Sequence, residues 1–232
     1  MSEFVCLIPA RGGSKGIPRK NLQLVDSIPL IAHTIDAALK AKSVSSVYVS
    51  TDNQEIADVS TLYHAKIPFL RSEKLSSDDA RTIDVVMDFV EYLKIKGKAY
   101  KYLVLLQPTS PNRDSSDIDH ACELFLRYEG MSLASVTQMR KPLSLARRIA
   151  NGRLEKVINT ESNTRRQDAD ASYYVNGAIY INKISEITQG TILNDNAVPY
   201  IMDYLKSDDI DDEINLAEAE LHRRIMSGKW AL

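Results

Sequence analysis

The sequence predicts an α/β fold, a Rossmann-like, mostly parallel sheet with helices on both faces, and three observations carry that prediction. Short apolar runs alternate with segments whose apolar residues return at helical spacing. The first of those runs empties into a glycine-rich loop. The chain's 232 residues, 44% of them hydrophobic, are enough for one large core.

In order, Phe4 to Ile8 is a buried strand closed by Pro9 and the glycines that follow. Residues 29 to 41 place Leu30, Ile31, Ile35, Ala38 and Leu39 on one helical face. Val47 to Ser50 is the next strand, and Asn53 is suited to cap a helix on which Ile56, Val59 and Tyr63 line up. Residues 82 to 95 carry Ile83, Val86, Met87, Val90 and Leu93 on one stripe, and Tyr102 to Leu106 is a fully buried strand. Ser115 or Ser116 caps a helix over 117 to 128.

Beyond Val136 the alternation weakens. Arg140, Lys141, Arg147, Arg148, Arg153, Arg165 and Arg166 share a polar stretch with strand-like pieces such as Leu154 to Val157. Residues 139 to 172 are therefore an excursion within one domain spanning 1 to 232. It is expected to be a lid or dimerisation arm near an anion, or else a solvated basic face. The core resumes with a strand from Tyr173 to Ile181, interrupted at Asn176-Gly177, where glycine permits close approach of ligand or backbone. A helix near 213 to 226 follows.

Twenty-nine Lys+Arg against thirty-one Asp+Glu leave a formal charge of −2, which provides no global basic field for nucleic acid or an anionic membrane. The apolar runs are strand-sized, far short of the ~20 residues of a membrane span, and the expected location is the cytoplasm. Cys6 and Cys122 lie in apolar segments and are expected to be buried thiols. His33, His64, His120 and His222 all fall in helical segments, complete no zinc spacing and have no companion nucleophile.

Chemistry concentrates at three places. Pro9-Ala-Arg-Gly-Gly-Ser-Lys-Gly-Ile-Pro-Arg-Lys-Asn21 follows the first strand. Its glycines at 12, 13 and 16 let N–H groups converge on phosphate oxygens while Arg11, Lys15 and Lys20 supply charge. It matches neither the Walker nor the dinucleotide spacing, and a basic surface turn is the plainer alternative. In Ser207-Asp-Asp-Ile-Asp-Asp-Glu213, an extended backbone would put Asp209 and Asp211 on one face, able to share a hard cation such as Mg²⁺. Helix capping is the other reading of that acidic run. In Leu105-Leu-Gln-Pro-Thr-Ser-Pro111, Gln107, Thr109 and Ser110 stand at a strand's carboxyl tip, able to bond a sugar or base or simply to form a rigid turn. A phosphate cradle with a two-carboxylate cation site is the equipment of phosphoryl or nucleotidyl transfer.

These segments, with Ser50-Thr-Asp52, Asn176-Gly-Ala-Ile-Tyr180 and Asp209-Ile-Asp211, resemble in order the motifs of the CMP-sialic acid synthetases, the acylneuraminate cytidylyltransferases. The resemblance spans nearly the whole chain. It implies a nucleotidyltransferase that is a homodimer, transferring CMP from CTP to the anomeric hydroxyl of a nine-carbon 2-keto sugar acid with Mg²⁺ and releasing pyrophosphate. By resemblance, Arg11, Gly12, Gly13, Ser14, Lys15 and Lys20 match the triphosphate loop, and Asn21, Arg71 and Ser77 match cytidine contacts. Gln107, Thr109, Ser110, Arg166, Asn176 and Tyr180 fall on the sugar side, Asp209 and Asp211 match the metal ligands, and Arg11, Lys20 and Asp211 are the expected catalytic groups. Residues 139 to 172 would be the dimer arm.

Two segments depart from the pattern. Lys141-Pro-Leu-Ser144 replaces a segment that carries a sugar-facing lysine, a role Lys141 or Arg147 would have to fill. Ile192 and Leu193 stand where paired phenylalanines flank the acyl group, which points to a legionaminic, pseudaminic or deaminated relative of N-acetylneuraminate. A synthetase for the eight-carbon acid Kdo and a catalytically silent nucleotide-binding protein are the competing expectations; Asn176 to Tyr180 leans away from the former.

Overall fold

The computed structural model describes residues 3 to 159 and 171 to 229. Its ten strands are β1 (Phe4–Pro9), β2 (Leu24–Val25), β3 (Ile28–Pro29), β4 (Val44–Ser50), β5 (Tyr102–Leu106), β6 (Leu133–Gln138), β7 (Arg147–Ala150), β8 (Arg153–Lys156), β9 (Tyr173–Lys183) and β10 (Val198–Ile201). The α-helices are α1 (Leu30–Lys40), α2 (Gln54–Leu62), α3 (Thr82–Ile95), α4 (Ser115–Arg127) and α5 (Glu213–Met226). Six strands form the main sheet in the order β10-β6-β9-β5-β1-β4. Only β9 runs against the others, pairing antiparallel with β5 and β6. The sheet is thus mostly parallel, as the alternating pattern predicts.

Burial explains the apolar runs. β1 is buried along its length except at Pro9, because sheet neighbours flank it and helices cover both faces. One core cluster packs Ile31, Ile35, Ile118 and Phe125 against Cys6, Ile8 and Val104; the other packs Ile83, Val86, Phe89 and Leu93 against Val5, Leu7 and Leu105. The α1 stripe is narrower than its spacing predicts, with Leu39 45% exposed. Both cysteines are free and buried, and burial pushes the Cys6 thiol up to about 12. Among the described residues no helix is long and apolar enough to cross a membrane.

Asn53 caps α2 as expected, its Oδ1 accepting from Ile56 N at 3.0 Å. The cap of α4 is Asp114, not either serine. Asp114 Oδ1 accepts from the backbone N of Ser116 and Asp117, while Asp117 Oδ2 accepts from Asp114 N, a reciprocal box that Ser115 and Ser116 are placed too late to make. His64 is not helical; it follows α2 with a left-handed φ of 68°. The excursion contains a two-stranded antiparallel ribbon, β7 with β8, separate from the main sheet. The interruption of β9 is a bulge against β6 between Ala134 and Val136, with Gly177 at φ 75°.

Partial burial alone would raise the Asp114 carboxyl, but Lys206 Nζ at 2.6 Å, the Ser116 hydroxyl and the Asp117 amide outweigh it and hold it well below the usual carboxylate range. A depressed folded-state value stabilises the fold above the unfolded value of about 3.9, and that contribution drains away as pH falls below it. Asp114→Ala is expected to cost about 1–2 kcal/mol in urea denaturation at neutral pH. The gap to wild type should narrow in the same measurement below about pH 4.

Candidate functional site

The carboxyl ends of β1, β4 and β5 open onto one edge of the sheet, where two clefts meet. The first holds about 300 Å³ and is lined by Arg11, Gly13, Ser14, Lys20, Asn21, Arg71, Ser77, Gln107 and Thr109 among others. The second holds about 420 Å³ and is lined by residues that include Arg81, Thr82, Val175, Tyr180, Ile192, Leu193 and Asp209. Thr82 and Gln107 line both, so the clefts share a wall.

The loop after β1 is shaped by contacts to distant residues. Gly12 N donates to Asp52 Oδ1 at 2.9 Å, and Asn21 Nδ2 donates to Arg11 O at 2.9 Å. Asn21 Oδ1 is buried without a hydrogen-bond partner. Gly16 lies so close to the 208–211 segment that a Cβ would stand 2.0 Å from Asp211 O. Lys20 Nζ bonds Ile210 O at 2.8 Å and Asp211 Oδ1 at 3.0 Å. Arg11 and Lys15 both pair with Asp78, at 2.9 and 3.1 Å, and the hydrogen bond from Lys15, joined by that from Arg11, holds the exposed carboxyl below its usual range. Arg71, 6% exposed, sits 3.8 Å from Asp52 and donates through Nε to Ser76 Oγ. Burial lowers the Arg71 pKa, and the Asp52 carboxylate opposes that shift.

The acidic run divides its labour. Asp212 caps α5, accepting from Asn215 N at 2.8 Å. Asp208 accepts from Asn112 Nδ2 at 2.6 Å and pairs with His222 Nδ1 at 2.7 Å. Asp209 opens to the second cleft; the walls around it raise its carboxyl above the usual value, the Thr109 hydroxyl lowers it, Asp211 raises it and Lys20 lowers it. Asp211 is exposed except for its bond to Lys20. Capping and cation binding are therefore not rivals for this run. Two oxygen donors that repel one another beside a basic phosphate-type loop suit a hard divalent cation completing its shell with phosphate and water.

On the other side, Gln107 Oε1 lies where a Cβ on Gly177 would come within 2.9 Å, so glycine is what lets β9 pass the cleft floor. Tyr180 OH donates to Asn194 Oδ1 at 2.6 Å, and burial pushes its pKa up to about 12. Asn176 and Ser110 are not brought to the clefts. Asn176 is 3% exposed and its amide is spent on Ser135, Ser207 and the Met202 sulfur, which holds the β9 bulge together. Ser110 is wholly buried, its hydroxyl without a partner. Lys141 and Arg147 line neither cleft, and Arg147 donates to the carbonyls of Ser144 and Ala146. Arg166 lies outside the described residues.

Sequence reasoning missed Asp78, which no spacing links to the loop it faces. It also missed Arg113, a 1% exposed arginine whose Nη1 donates to Gln107 O and Ala178 O. Burial lowers Arg113 to about 10, so it remains a cation behind the shared wall.

Comparison with known proteins identifies the family. Residues 5–198 match the family described as cytidylyltransferase. The chain is 36% identical over 220 residues to the CMP-N,N'-diacetyllegionaminic acid synthase of Legionella pneumophila, covering 94% of each. It is 33% identical to the pseudaminic acid cytidylyltransferase of Campylobacter jejuni over 76% of each chain. It is 32% identical to the N-acylneuraminate cytidylyltransferase of Escherichia coli, over 92% of this chain and 50% of that protein. In fold it resembles a CMP:2-keto-3-deoxy-manno-octonic acid synthetase solved with CTP, at TM-score 0.71 and 16% identity over 98% and 99% of the two chains. A glycine-rich basic loop after β1, a carboxylate segment folded against it and relatives that agree over nearly the whole length lead to one conclusion: the chain belongs to the cytidylyltransferase family, of the CMP-sialic acid synthetase type.

Proposed function

We propose that this protein transfers the CMP group of CTP to the anomeric hydroxyl of a nine-carbon 2-keto sugar acid, releasing pyrophosphate. The observation that carries the reading is the shared wall. The basic loop cleft and the second cleft meet at Gln107, with Asp209 opening onto the second and Asp211 bonded to Lys20 of the first. A triphosphate in the first cleft would be held by Arg11, Ser14, Lys15 and Lys20, with Arg11 and Lys15 exchanging Asp78 for phosphate oxygens. Asn21, Arg71 and Ser77 on the same cleft are positioned for the nucleoside. The sugar acid would occupy the second cleft, beside Gln107, Tyr180 and Asp209.

The new bond joins the anomeric oxygen to the α-phosphorus as the bond to the β-phosphate oxygen breaks, with net loss of the hydroxyl proton. Such an in-line displacement asks the protein for alignment and charge neutralisation rather than covalent help. Asp209 and Asp211 would hold Mg²⁺, which when bound neutralises phosphate charge. Lys20 shares Asp211 and so couples loop and carboxylates. The reaction consumes CTP, which fits a cytoplasmic location.

The wall lined by Val175, Ile192 and Leu193 is aliphatic, and the Legionella relative acts by its name on a diacetylated legionaminic acid. Both favour an acid of that type over N-acetylneuraminate. Pyrophosphate release from CTP and Mg²⁺ should be fastest with a legionaminic- or pseudaminic-type acid, slower by roughly 10–200-fold with N-acetylneuraminate and slowest with Kdo. Preference for Kdo, or release with none of the acids, would overturn the proposal. Asp211→Ala should lower kcat/KM on the order of 10³-fold, and turnover near wild type would remove Asp211 from the reaction.

A homodimer is part of the proposal. The cross-strand pair Ile149 and Leu154 on the isolated ribbon is 78% and 72% exposed. Two-stranded ribbons are at best marginally stable alone, so a second copy is the fitting cover. Sedimentation should find a dimer in wild type and a monomer in Ile149→Asp/Leu154→Asp; a monomeric wild type would refute the pairing.

A further inference from the structure

The two proposed cation ligands sit on a segment without regular secondary structure, and something must fix where their carboxylates stand. One end is held by Asp212, which caps α5. The middle is held by Ile210, which is fully buried, donates through its N to Thr109 O at 3.0 Å and accepts from Lys20. The remaining end is Asp208, next to Asp209. Its side chain is 8% exposed and has two partners from different parts of the chain, Asn112 after β5 and His222 near the end of α5. Asn112 is itself anchored, donating to Ala219 O at 2.9 Å. The His222 ring is 14% exposed and packs edge-on against Tyr204, ring centroids 5.6 Å apart.

We infer that His222 is a positioning residue, whose Nδ1–H, donated to Asp208, sets the register of the 208–211 segment and thereby the placement of Asp209 and Asp211 around a divalent cation. This rests on the reading of those two carboxylates as cation ligands. An ionised Asp208 can only accept, so with Asn112 on one oxygen and His222 on the other both of its oxygens are committed and the segment cannot slide along α5. The sequence gives no sign of this. His222 follows Asp208 by fourteen residues, and only the antiparallel return of α5 beneath the segment brings them together.

The nitrogen's position makes the inference testable. In His222→Asn the side-chain amide nitrogen falls near the place of Nδ1, whereas in His222→Gln it falls nearer Nε2, and His222→Ala has none. Water-proton relaxation enhancement of Mn²⁺ with CTP, measured with no sugar acid present, reports protein-held cation without turnover. The half-saturating Mn²⁺ concentration should rise about tenfold for His222→Gln and His222→Ala and stay within about twofold of wild type for His222→Asn. The Mg²⁺ half-saturation of pyrophosphate release should follow the same order, while metal-free melting of the Asn and Gln variants should coincide.

Wild-type binding that is lost in Asp211→Ala but unchanged in all three His222 variants would overturn the positioning role and leave the cation site standing. Equal weakening in the Asn and Gln variants would also overturn it, showing bulk rather than the δ hydrogen to matter. No enhancement with wild type would bring down the cation site and this inference together.

Discussion

The site depends on one close approach, that of the loop after β1 to the segment before α5. A glycine at 16 lets the two backbones come together, and Lys20 crosses between them to Ile210 and Asp211. The contact joins residues some 190 positions apart. It places the fixed positive charge of one segment against the negative charge of the other, so neither the basic loop nor the acidic run exists as an uncompensated patch. This explains how a chain with a net charge of only −2 can carry a strongly polarised working edge.

Around that contact the protein uses charge at three depths. Asp78 stands at the surface, where Arg11 and Lys15 can leave it for a stronger anion at little cost. Arg71 and Asp52 stand deeper, the arginine almost wholly buried, and help to shape the cleft wall. Arg113 lies deepest, a buried cation bonded only to carbonyls, behind the strand end that carries Gln107. Buried charge is costly to maintain, and here it lies behind the wall that the two clefts share.

The fold was legible wherever burial leaves a periodic mark. The strand from Tyr102 to Leu106 and the helix from Glu213 to Met226 stand where the pattern puts them. The α4 cap differs from the expectation because Asp114, Ser115 and Ser116 are all acceptable caps by type, while the reciprocal box with Asp117 and the bond from Lys206, 92 positions away, favour the aspartate. At the site, the placement of the loop residues and of Asp209 at the cleft edge is legible because glycine and charge concentrate there. Asn176 could not be assigned correctly from the same kind of evidence. Glycine beside it suggested close approach to a ligand, whereas the close approach is to Gln107 and the asparagine closes a bulge from the inside.

The position of β9 has a consequence for how the molecule comes into being. Among the described strands it alone joins the half of the sheet made of β4, β1 and β5 to the half made of β6 and β10, yet it follows β6 by some thirty-five residues. As the chain emerges from the ribosome, β5 and β6 must wait with open edges until β9 slots between them. Its two halves are joined in the middle before β10 completes the rim beside β6, through a long-range pairing of the kind that folds slowly and leaves edges open to aggregation meanwhile. Conditions that shorten that wait, such as faster synthesis between β6 and β9, or that cover it, such as a chaperone shielding strand edges, would therefore raise the yield of folded protein.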